Sequence, residues 1–315
     1  MSKTEVLCIG LSCVDVLIKN TDLTTPFTGE AKAAEHVSLG IGGDAANEAV
    51  TLSKLGHSVR LMTGLGGDDT GRYIMGCLEN SGVSCSGSSI VPDGDSPVNV
   101  IVIQKNGDRN FINSGTPKAA DFEPSVSEIR DVEVVSFASL FMPPFTTCEH
   151  LLDAAKRAKE IGAATCLDVI VGVDARLEDY REALGYIDYV FPNEEEAAAL
   201  TGKKDLYGMA GVFLDYGIGN VIIKTGKDGC YVRNREGDFR VPGYQVPHVT
   251  DTTGAGDNFA AGFISGLLQG KNLRECCRYA CGVAGVAIQY QGACTGVRSR
   301  EQVEDEIKKM EAGKD

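Results

Sequence analysis

Short apolar runs alternate with segments of helical periodicity along most of the 315-residue chain. The runs at 5–10, 132–140 and 220–226 are almost continuously apolar, which is typical of strands buried on both faces of a parallel sheet. The segments at 45–56 and 148–162 repeat apolar residues at helical spacing and end in glycine. The pattern therefore predicts an α/β fold with a mostly parallel central sheet between helices. No low-complexity linker or internal repeat interrupts it, so we predict one domain over 1–315.

Two regions, around 11–40 and 95–115, break this rhythm with alternating apolar and polar residues. Such alternation predicts antiparallel hairpins, and the pair Asn106-Gly107 marks a turn in the second region. Residues 229–243 predict a further hairpin. A small sheet added to an α/β domain either covers a ligand site or is a plain edge hairpin, and the pattern fits both interpretations.

Composition narrows the classes of partner. The formal net charge of −14 lacks the basic footprint that nucleic acids and anionic membranes require, whereas backbone N–H groups and Mg²⁺ can still hold a nucleotide. No apolar window approaches the length of a membrane span, and the N-terminal residues lack the layout of a signal peptide. The eleven cysteines include no Cys-x-x-Cys pair, and Cys276, Cys277 and Cys281 fit helix packing better than metal binding. We therefore expect reduced cysteines and a cytoplasmic location.

Three glycine-rich segments leave their roles open. Residues 40–45 match the G-x-G-x-x-A pattern of dinucleotide sites, but the first strand lies far upstream and Arg60 stands where an acidic residue belongs. Gly42 and Gly43 would let a small ligand approach the backbone beside Asn47; alternatively, Asp44 or Asn47 simply caps a helix. The segments 64–71 and 224–230 fit loop, cap and hairpin chemistry.

The stretch 251–259, DTTGAGDNF, points to phosphate chemistry. No G-x-x-x-x-G-K-[ST] motif occurs, so another element has to cradle a phosphate. Gly254 and Gly256 carry no Cβ, and the first-turn N–H groups of the helix that follows have no partners within that helix. Asp257 is thereby placed to take a proton from a hydroxyl that attacks the phosphate, although a capping aspartate would also fit a first turn.

Three motifs in order resemble those of the PfkB family of carbohydrate kinases, within the ribokinase-like superfamily. They are GGDAANEAVTLSKLG at 42–56, PNEEEAAALTG at 192–202 and DTTGAGDNFAAGF at 251–263. Within that family the motif sequences are most similar to those of bacterial sugar kinases of poorly defined specificity. The resemblance implies a ribokinase-like fold in which a small β-sheet lid, built from the segments around 11–40 and 95–115, lies over the sugar site.

The resemblance also implies roles for individual residues. Asp257 would be the base, and the backbone of Gly254, Ala255 and Gly256 the anion hole. Asn193 and Glu196 would organise Mg²⁺ and phosphate through water. The residues expected to border ATP are Thr225, Gly226, Lys227, Asp228 and Gly229, together with Gly256. The residues expected to hold sugar hydroxyls are Asp15, Gly43 and Asn47.

Many members of the family are activated by a monovalent cation such as K⁺. The matching positions here are Asp251, Thr253, Ala287, Gly292 and Gly296, and Gly296 stands where ribokinases usually have a serine. A cation site at these positions would therefore lack one side-chain contact.

The chain departs from ribokinases in its sugar site. Asp44 replaces a lysine after the double glycine, where it would repel a sugar phosphate or sugar acid, and an apolar FMPPF segment replaces an acidic sugar ligand. Further candidate sugar ligands, each with an equally plain surface or capping interpretation, are Asn99, Arg109, Asn113 and Asp168.

These features together predict an ATP-dependent kinase acting on the primary hydroxyl of a small sugar. A nucleoside kinase would use Phe111 or Phe141 for stacking, and a sugar-phosphate kinase would use Lys105 and Arg109 against the opposition of Asp44. A non-enzymatic nucleotide- or sugar-binding regulator is disfavoured by the intact Asn193, Glu196 and Asp257. The resemblance also implies a homodimer in which two copies of the chain contact each other through their lids.

Overall fold

The computed structural model describes residues 4–22, 29, 31–104, 109–114, 117–172 and 174–312. Fourteen strands are found in these residues: β1 (Val6–Ile9), β2 (Cys13–Thr21), β3 (His36–Gly42), β4 (Val59–Met62), β5 (Gly64–Gly66), β6 (Ser89–Val91), β7 (Val98–Gln104), β8 (Arg109–Asn113), β9 (Val134–Leu140), β10 (Ala164–Val169), β11 (Tyr189–Val190), β12 (Asn220–Lys224), β13 (Cys230–Asn234) and β14 (Gly237–Val241).

Nine α-helices are found in the same residues: α1 (Asp44–Lys54), α2 (Asp69–Asn80), α3 (Cys148–Glu160), α4 (Arg181–Leu184), α5 (Glu194–Thr201), α6 (Leu206–Asp215), α7 (Ala255–Leu268), α8 (Leu273–Ala287) and α9 (Arg300–Ala312). Short 3₁₀ turns occur at Val126–Glu128, Leu177–Tyr180 and Gly226–Asp228.

Eight strands form the central sheet in the order β14-β13-β12-β11-β10-β9-β1-β4. The pairings from β4 to β12 are parallel, and β13 runs antiparallel to both of its neighbours. This confirms the predicted α/β fold with a mostly parallel sheet. The carboxyl ends of the parallel strands meet at one edge, which is where ligand sites form in open α/β sheets.

Each face of the central sheet is covered by its own hydrophobic core. Successive side chains of a strand point to opposite faces, so Val6 and Cys8 belong to one core and Leu7 and Ile9 to the other. Helices α1, α7 and α8 supply the first core, and α3 and α6 supply the second. Burial on both faces explains why these strands read as continuous apolar runs.

A separate four-stranded sheet has the order β3-β2-β7-β8. The predicted antiparallel hairpins are confirmed by the pairing of β2 with β3 and of β7 with β8. The predicted turn at Asn106-Gly107 lies outside the described residues. A parallel pairing of β2 with β7 joins the two hairpins, and the sequence pattern did not predict it.

Other local predictions also agree with the structure. Strands β13 and β14 form the hairpin predicted at 229–243. The side chain of Asp68 caps helix α2 by accepting from the Gly71 backbone N–H at 2.8 Å, as the segment 64–71 suggested. Cys276 and Cys277 are fully buried in the packing of α8. None of the helices in the described ranges is long and apolar enough to cross a membrane. The single domain and the cytoplasmic location stay predictions.

Candidate active site

A cleft with a volume of about 1060 Å³ lies at the carboxyl ends of the parallel strands. Strands β10 and β12 contribute Asp168 and Lys224 to its lining, and helix α7 contributes Gly254, Gly256 and Asp257 from its first turn. A cleft of this size is large enough for a nucleotide and a small acceptor side by side. The structure therefore brings residues from distant motifs to one edge of the sheet.

The N-terminus of α7 is built around two glycines. Gly254 caps the helix with a φ of 72°, a left-handed conformation that favours glycine. A Cβ on Gly254 would lie 2.7 Å from the carbonyl oxygen of Ala293. A Cβ on Gly256 would lie 3.1 Å from Lys224 Nζ. Glycine at 254 is thus required by the backbone conformation and by close packing, whereas glycine at 256 keeps the space beside the helix N-terminus open.

Asp257 lies in the first turn of α7, as predicted. Its Oδ2 accepts a hydrogen bond from Nδ2 of Asn47 at 2.8 Å. Burial raises the pKa of the Asp257 carboxyl to about 6, the bond from Asn47 opposes this, and the charge of Asp168 adds to it. A carboxyl with a pKa near 6 is a competent proton acceptor at neutral pH.

Asn47, predicted as a sugar ligand, is buried beneath Asp257 with an exposed fraction of 5%. Its Oδ1 has no hydrogen-bond partner among the described residues. Asn47 therefore orients the carboxylate and retains one acceptor.

Asp44 begins helix α1 and lines the cleft. Its Oδ1 accepts hydrogen bonds from Ser139 Oγ at 2.5 Å and from the Ala45 backbone N–H at 2.9 Å. Its Oδ2 is buried without a partner in the part of the chain that the structure describes. Burial, with the neighbouring charge of Asp257, holds the pKa of Asp44 well above its usual range. Ser139, near the end of β9, was not singled out from the sequence.

Asp15, on β2 of the small sheet, is not among the residues that line the described cleft. It accepts hydrogen bonds from Nδ2 of Asn99, its cross-strand neighbour, at 3.3 Å and from Sγ of Cys13 at 3.5 Å. A Cβ on Gly42 would lie 2.3 Å from the Asp15 carboxyl carbon, so the aspartate explains this glycine. Burial raises the pKa of Asp15, and its charge in turn contributes to the raised pKa of Asp257. The small sheet thus contributes a further carboxyl whose charge acts on Asp257.

Gly43, another predicted sugar ligand, has a φ of 91° at the start of α1. A Cβ there would lie 2.5 Å from the carbonyl oxygen of Leu11. Its observed contribution is to the turn that aims α1 at the cleft.

Asn193 and Glu196 form a capping box at the start of α5. The Asn193 side chain accepts from the Glu196 backbone N–H at 2.8 Å, and Glu196 Oε2 accepts from the Asn193 backbone N–H at 2.7 Å. This local role alone would explain the Asn-x-x-Glu spacing. Both residues nevertheless line the cleft, and burial raises the pKa of Glu196 to about 7 while the charge of Lys224 opposes the rise.

Lys224 is the functional candidate that sequence analysis missed. It is the last residue of β12, and its Nζ donates to both carboxylate oxygens of Asp168 at 2.9 Å each. The exposed fractions of the two side chains are 14% and 9%, so the ion pair is nearly buried. A lysine that ends a buried strand is a signal in itself, because lysine is rarely buried without a partner. Asp168, predicted as a sugar ligand, is this partner.

The segment predicted to border ATP forms one wall of the cleft. Gly226, Lys227, Asp228 and Gly229 line it, whereas the Thr225 hydroxyl is buried without a partner among the described residues. A further part of the lining was not predicted, because its residues carry no motif. It consists of Gly243, Tyr244, Gln245, Val246 and Val249 from the loop after β14, and Cys281, Ala284, Gly285 and Ile288 from around α8.

The candidate cation residues also come together. Asp251 is 4% exposed and accepts from Thr253 Oγ1 at 2.7 Å and from the Gly292 backbone N–H at 2.9 Å. Gly296 packs against Ala287 so closely that a Cβ would lie 2.7 Å from the Ala287 carbonyl oxygen. The close contact accounts for glycine at 296 where ribokinases usually carry serine.

The remaining predicted ligands lie on the small sheet or near it. Asn113 is the cross-strand neighbour of Asn99, and Phe111 is exposed on the same face of the sheet. Phe141 packs edge-on against Tyr180, with ring centroids 5.2 Å apart. Lys105 and the side chain of Arg109 lie outside the described residues.

The donor set of the cleft fits a magnesium ion carried by a substrate better than a resident metal. Within the described ranges, no group of three or more histidine, cysteine, aspartate or glutamate side chains is arranged to hold a metal ion. The carboxylate oxygens of Asp168 and Glu196 line the cleft and are hard ligands of the kind that Mg²⁺ prefers. Mg²⁺ bound mainly to phosphates would need only such sparse support.

Comparisons with known proteins identify the family of the chain. A family model described as pfkB family carbohydrate kinase matches residues 3–300. The ribokinase of Haemophilus influenzae is 28% identical over 96% of this chain and 97% of its own length. The ATP-dependent ribose-1-phosphate kinase of Halopiger xanaduensis is 33% identical over 92% of this chain and 93% of its own.

A solved structure gives the same assignment of fold. The structure of Arabidopsis thaliana ribokinase complexed with ribose and ATP matches with a TM-score of 0.84 and 25% identity, covering 98% of this chain and 99% of that one. The ribokinase-like fold predicted from the motifs is therefore confirmed. Since the family model spans nearly the whole chain, the protein belongs to the pfkB family of carbohydrate kinases.

Proposed function

We propose that the protein transfers the γ-phosphoryl group of ATP to a primary hydroxyl of a small sugar or sugar derivative. The observation that carries this proposal is the position of Asp257. Its carboxyl, with a pKa of about 6, lies in the first turn of α7, directly after the backbone N–H groups of Gly254 and Gly256. The third N–H predicted for the anion hole, that of Ala255, instead donates to the Thr252 carbonyl oxygen at 3.2 Å. A base next to an anion-binding helix terminus is the arrangement that phosphoryl transfer to a hydroxyl requires.

In the proposed step the acceptor hydroxyl gives its proton to Asp257 Oδ1 or Oδ2. The hydroxyl oxygen forms a bond to the γ-phosphorus as the bond from that phosphorus to the bridging oxygen of ADP breaks. The backbone N–H groups at the start of α7 stabilise the charge on the transferring group. Asn47 holds the Asp257 carboxylate in place during the transfer.

Glu196 and Asp168 are the residues that would support Mg²⁺ bound to the phosphates, Glu196 through water. Bound Mg²⁺ neutralises negative charge on the β- and γ-phosphates. Asn193 fixes Glu196 through the capping box, so it orients this carboxylate.

The decisive experiment replaces the proposed base. Asp257→Asn keeps the shape and the capacity to pair with Asn47 but removes the proton acceptor, so turnover should fall by at least about a hundredfold. ADP release is measured against a panel of sugars, sugar acids, nucleosides and sugar phosphates. Turnover within a few-fold of wild type would exclude Asp257 as the base. Nucleotide binding without turnover on any acceptor would instead favour the regulator.

The charge of the site favours a neutral acceptor. The charges of Asp15 and Asp257 repel one another, as do those of Asp44 and Asp257, and this repulsion adds to burial in raising the pKa values of Asp257 and Asp44. An acceptor phosphate or carboxylate would add to this repulsion. The relative from Halopiger xanaduensis is named for a phosphorylated acceptor, so sugar phosphates belong in the panel as the alternative.

A nucleoside acceptor is the second candidate. Phe111 is 65% exposed and lies on the same sheet face as Asp15, where a purine could stack on it. Phe141 is less suited, because its ring already packs against Tyr180. Turnover of nucleosides that exceeds turnover of free sugars, and its loss in Phe111→Ala, would establish this candidate.

A monovalent cation such as K⁺ is proposed beside the anion hole, at Asp251, Thr253, Ala287, Gly292 and Gly296. Their convergence from the loop before α7 and from the end of α8 and the segment after it supports the site, and the buried Asp251 supplies the charge. Activity that rises when tetramethylammonium is exchanged for K⁺ at constant ionic strength would support it. Equal activity in both salts would contradict it.

A homodimer through the small sheet is supported by the apolar face opposite Asp15. Leu39, Val16, Val100 and Ile112 are consecutive cross-strand neighbours on this face, and Leu39 and Ile112 are 60% and 62% exposed. Exposed apolar rows of this kind mark interaction surfaces. Light scattering should give a dimeric mass for the wild type and a monomeric mass for Leu39→Asp/Ile112→Asp. A monomeric wild type would refute the dimer.

A further inference from the structure

Lys224 has one hydrogen-bond donor more than its pairing uses. Its ammonium group carries three N–H donors, and the structure assigns two contacts, both to the carboxylate of Asp168. No further acceptor for it is found among the residues that the structure describes. Lys224 also lines the cleft, which distinguishes it from a lysine sealed inside a core.

The position of this ammonium group matters more than its burial. Lys224 Nζ lies 3.1 Å from the place where a Cβ on Gly256 would stand, which is alongside the first turn of α7. Asp257 follows Gly256 in the same helical turn. The lysine therefore lies at the junction between the helix N-terminus and the cleft wall formed by 226–229, where the γ-phosphate of bound ATP has to lie in the proposed reaction.

A purely structural ion pair is a poor explanation for this arrangement. Burying a lysine and an aspartate costs desolvation energy that their attraction offsets only in part. Apolar residues of similar size could often replace such a pair without loss of folding stability. Asp168, Glu196, Asp257 and Asp44 already line the same cleft, and ATP would add more negative charge. A fixed cation at this point becomes useful once phosphate is present.

We propose that Lys224 is a catalytic residue whose third N–H binds a non-bridging oxygen of the γ-phosphoryl group, with Asp168 as the residue that positions it. The proposal rests on the transfer described under Proposed function. It adds a side-chain cation at the phosphate, which the lysine of a G-x-x-x-x-G-K-[ST] motif would supply in a protein that has this motif. Lys224 keeps its proton throughout. The acceptor proton still goes to Asp257, and the broken bond still leaves its electron pair on ADP.

The test compares two nucleotides that differ by the γ-phosphate and needs no acceptor. Calorimetry on the full chain measures the affinity of Mg²⁺ with AMPPNP, the imido analogue of ATP, and of Mg²⁺ with ADP. In Lys224→Met, the affinity for AMPPNP should fall about tenfold or more while the affinity for ADP changes much less. Lys224→Arg should retain part of the preference for AMPPNP. An equal loss for both nucleotides, or no loss, overturns the proposal.

Two further variants keep the test interpretable if Lys224→Met folds poorly. The double variant Lys224→Met/Asp168→Asn removes both charges together, so no unpaired carboxylate stays buried. Because Asp168 would also support Mg²⁺, both affinities should fall in this variant, and the loss should still be larger for AMPPNP than for ADP. Lys159→Met is the matched control, because Lys159 pairs with Asp188 on residues that do not line the cleft. Lys159→Met should bind both nucleotides as the wild type does.

Kinetics separate this inference from the proposed function. Once an acceptor is known, Lys224→Met should lower kcat and leave KM for the acceptor nearly unchanged, since the contact is to the phosphoryl group. Wild-type protein that binds neither nucleotide would refute the proposed function itself. Wild-type protein that turns over normally, with a Lys224→Met variant of unchanged kcat and AMPPNP affinity, would refute only the role of Lys224.

Discussion

Asn47 donates a hydrogen bond from Nδ2 to Oδ2 of Asp257 at 2.8 Å, joining two residues that are 210 positions apart in the chain. The bond links the first turns of α1 and α7, and so connects two of the motifs found in the sequence. It favours the charged form of Asp257, whereas burial favours the protonated form and prevails, giving a pKa of about 6. The pH dependence of the enzyme should follow from this balance.

The first prediction concerns pH. Only the carboxylate form of Asp257 accepts a proton, so kcat/KM should rise as pH increases through about 6 and level off above it. Asn47→Ala removes the bond that opposes the effect of burial, so the acid limb should move to higher pH by roughly one unit. Steady-state kinetics between pH 4.5 and 8.5 would measure both limbs.

A matched control exists on the same pair of helices. Thr51 Oγ1 donates to Asn258 Oδ1 at 3.1 Å, one turn further along α1 and one residue after Asp257. Thr51→Val should lower stability without moving the acid limb. An acid limb that stays in place in Asn47→Ala would show that this bond does not set the pKa of the base.

The second prediction concerns acceptor charge. Asp44→Asn keeps the side-chain shape next to Ser139 but removes the carboxyl that an anionic acceptor would face. At a pH high enough to ionise Asp44, whose pKa is raised, the ratio of kcat/KM for a phosphorylated sugar to kcat/KM for the corresponding free sugar should rise on the order of tenfold. The free sugar serves as the internal control. A ratio that stays the same would mean that Asp44 has no part in selecting against negative charge.

The third prediction concerns the glycine that caps α7. Gly254 and Gly270 both have a φ of 72°, but a Cβ meets nothing within 4 Å at Gly270 and lies 2.7 Å from Ala293 at Gly254. Both alanine variants should lose about 1 kcal/mol from the backbone conformation. Gly254→Ala should lose about 1–3 kcal/mol more through overpacking, together with nucleotide affinity. Urea unfolding measures the difference, and equal losses would contradict the packing argument.

The fourth prediction concerns Glu48, which is 1% exposed in α1 and accepts a contact from Cys8 Sγ at 3.7 Å. Burial raises its pKa from 4.5 to about 8. The folded state therefore binds a proton at Glu48 more tightly than the unfolded state does. The stabilisation that this proton gives the folded state is complete below pH 4.5 and is lost as pH rises through about 8.

Glu48→Gln removes the titrating group and keeps the side chain's size. The difference in unfolding free energy between Glu48→Gln and wild type should shift in favour of the variant, by on the order of a few kcal/mol, when the pH is raised from 5 to 8.5. Glu304→Gln, at an exposed position of α9, is the control and should shift stability alike at both pH values. Parallel pH dependence of wild type and Glu48→Gln would contradict a buried protonated carboxyl.

Many of the elements and the motif residues were readable from the sequence because their signals are local, although helices α6 and α9 were not predicted. Continuous apolar runs predicted the strands, glycine at C-termini predicted helix ends, and the alternation at 11–40 and 95–115 predicted the hairpins that the structure shows. The spacing of Asn193 and Glu196 is likewise a local capping box. Such features depend on neighbours within a few positions, which a single sequence displays directly.

The rest depended on contacts between distant segments. No periodicity shows that β2 pairs with β7. Nor does it show that Asp168 Oδ1 lies 2.9 Å from Lys224 Nζ, since the two residues are 56 positions apart in the chain. The cleft wall around 243–249 carries no motif, since apolar and small residues there look like any loop. The sequence by itself thus determined the fold class, the family and the proposed base. Only the tertiary structure decided which charges share the cleft, because burial and pairing arise when separate strands end at the same edge of the sheet.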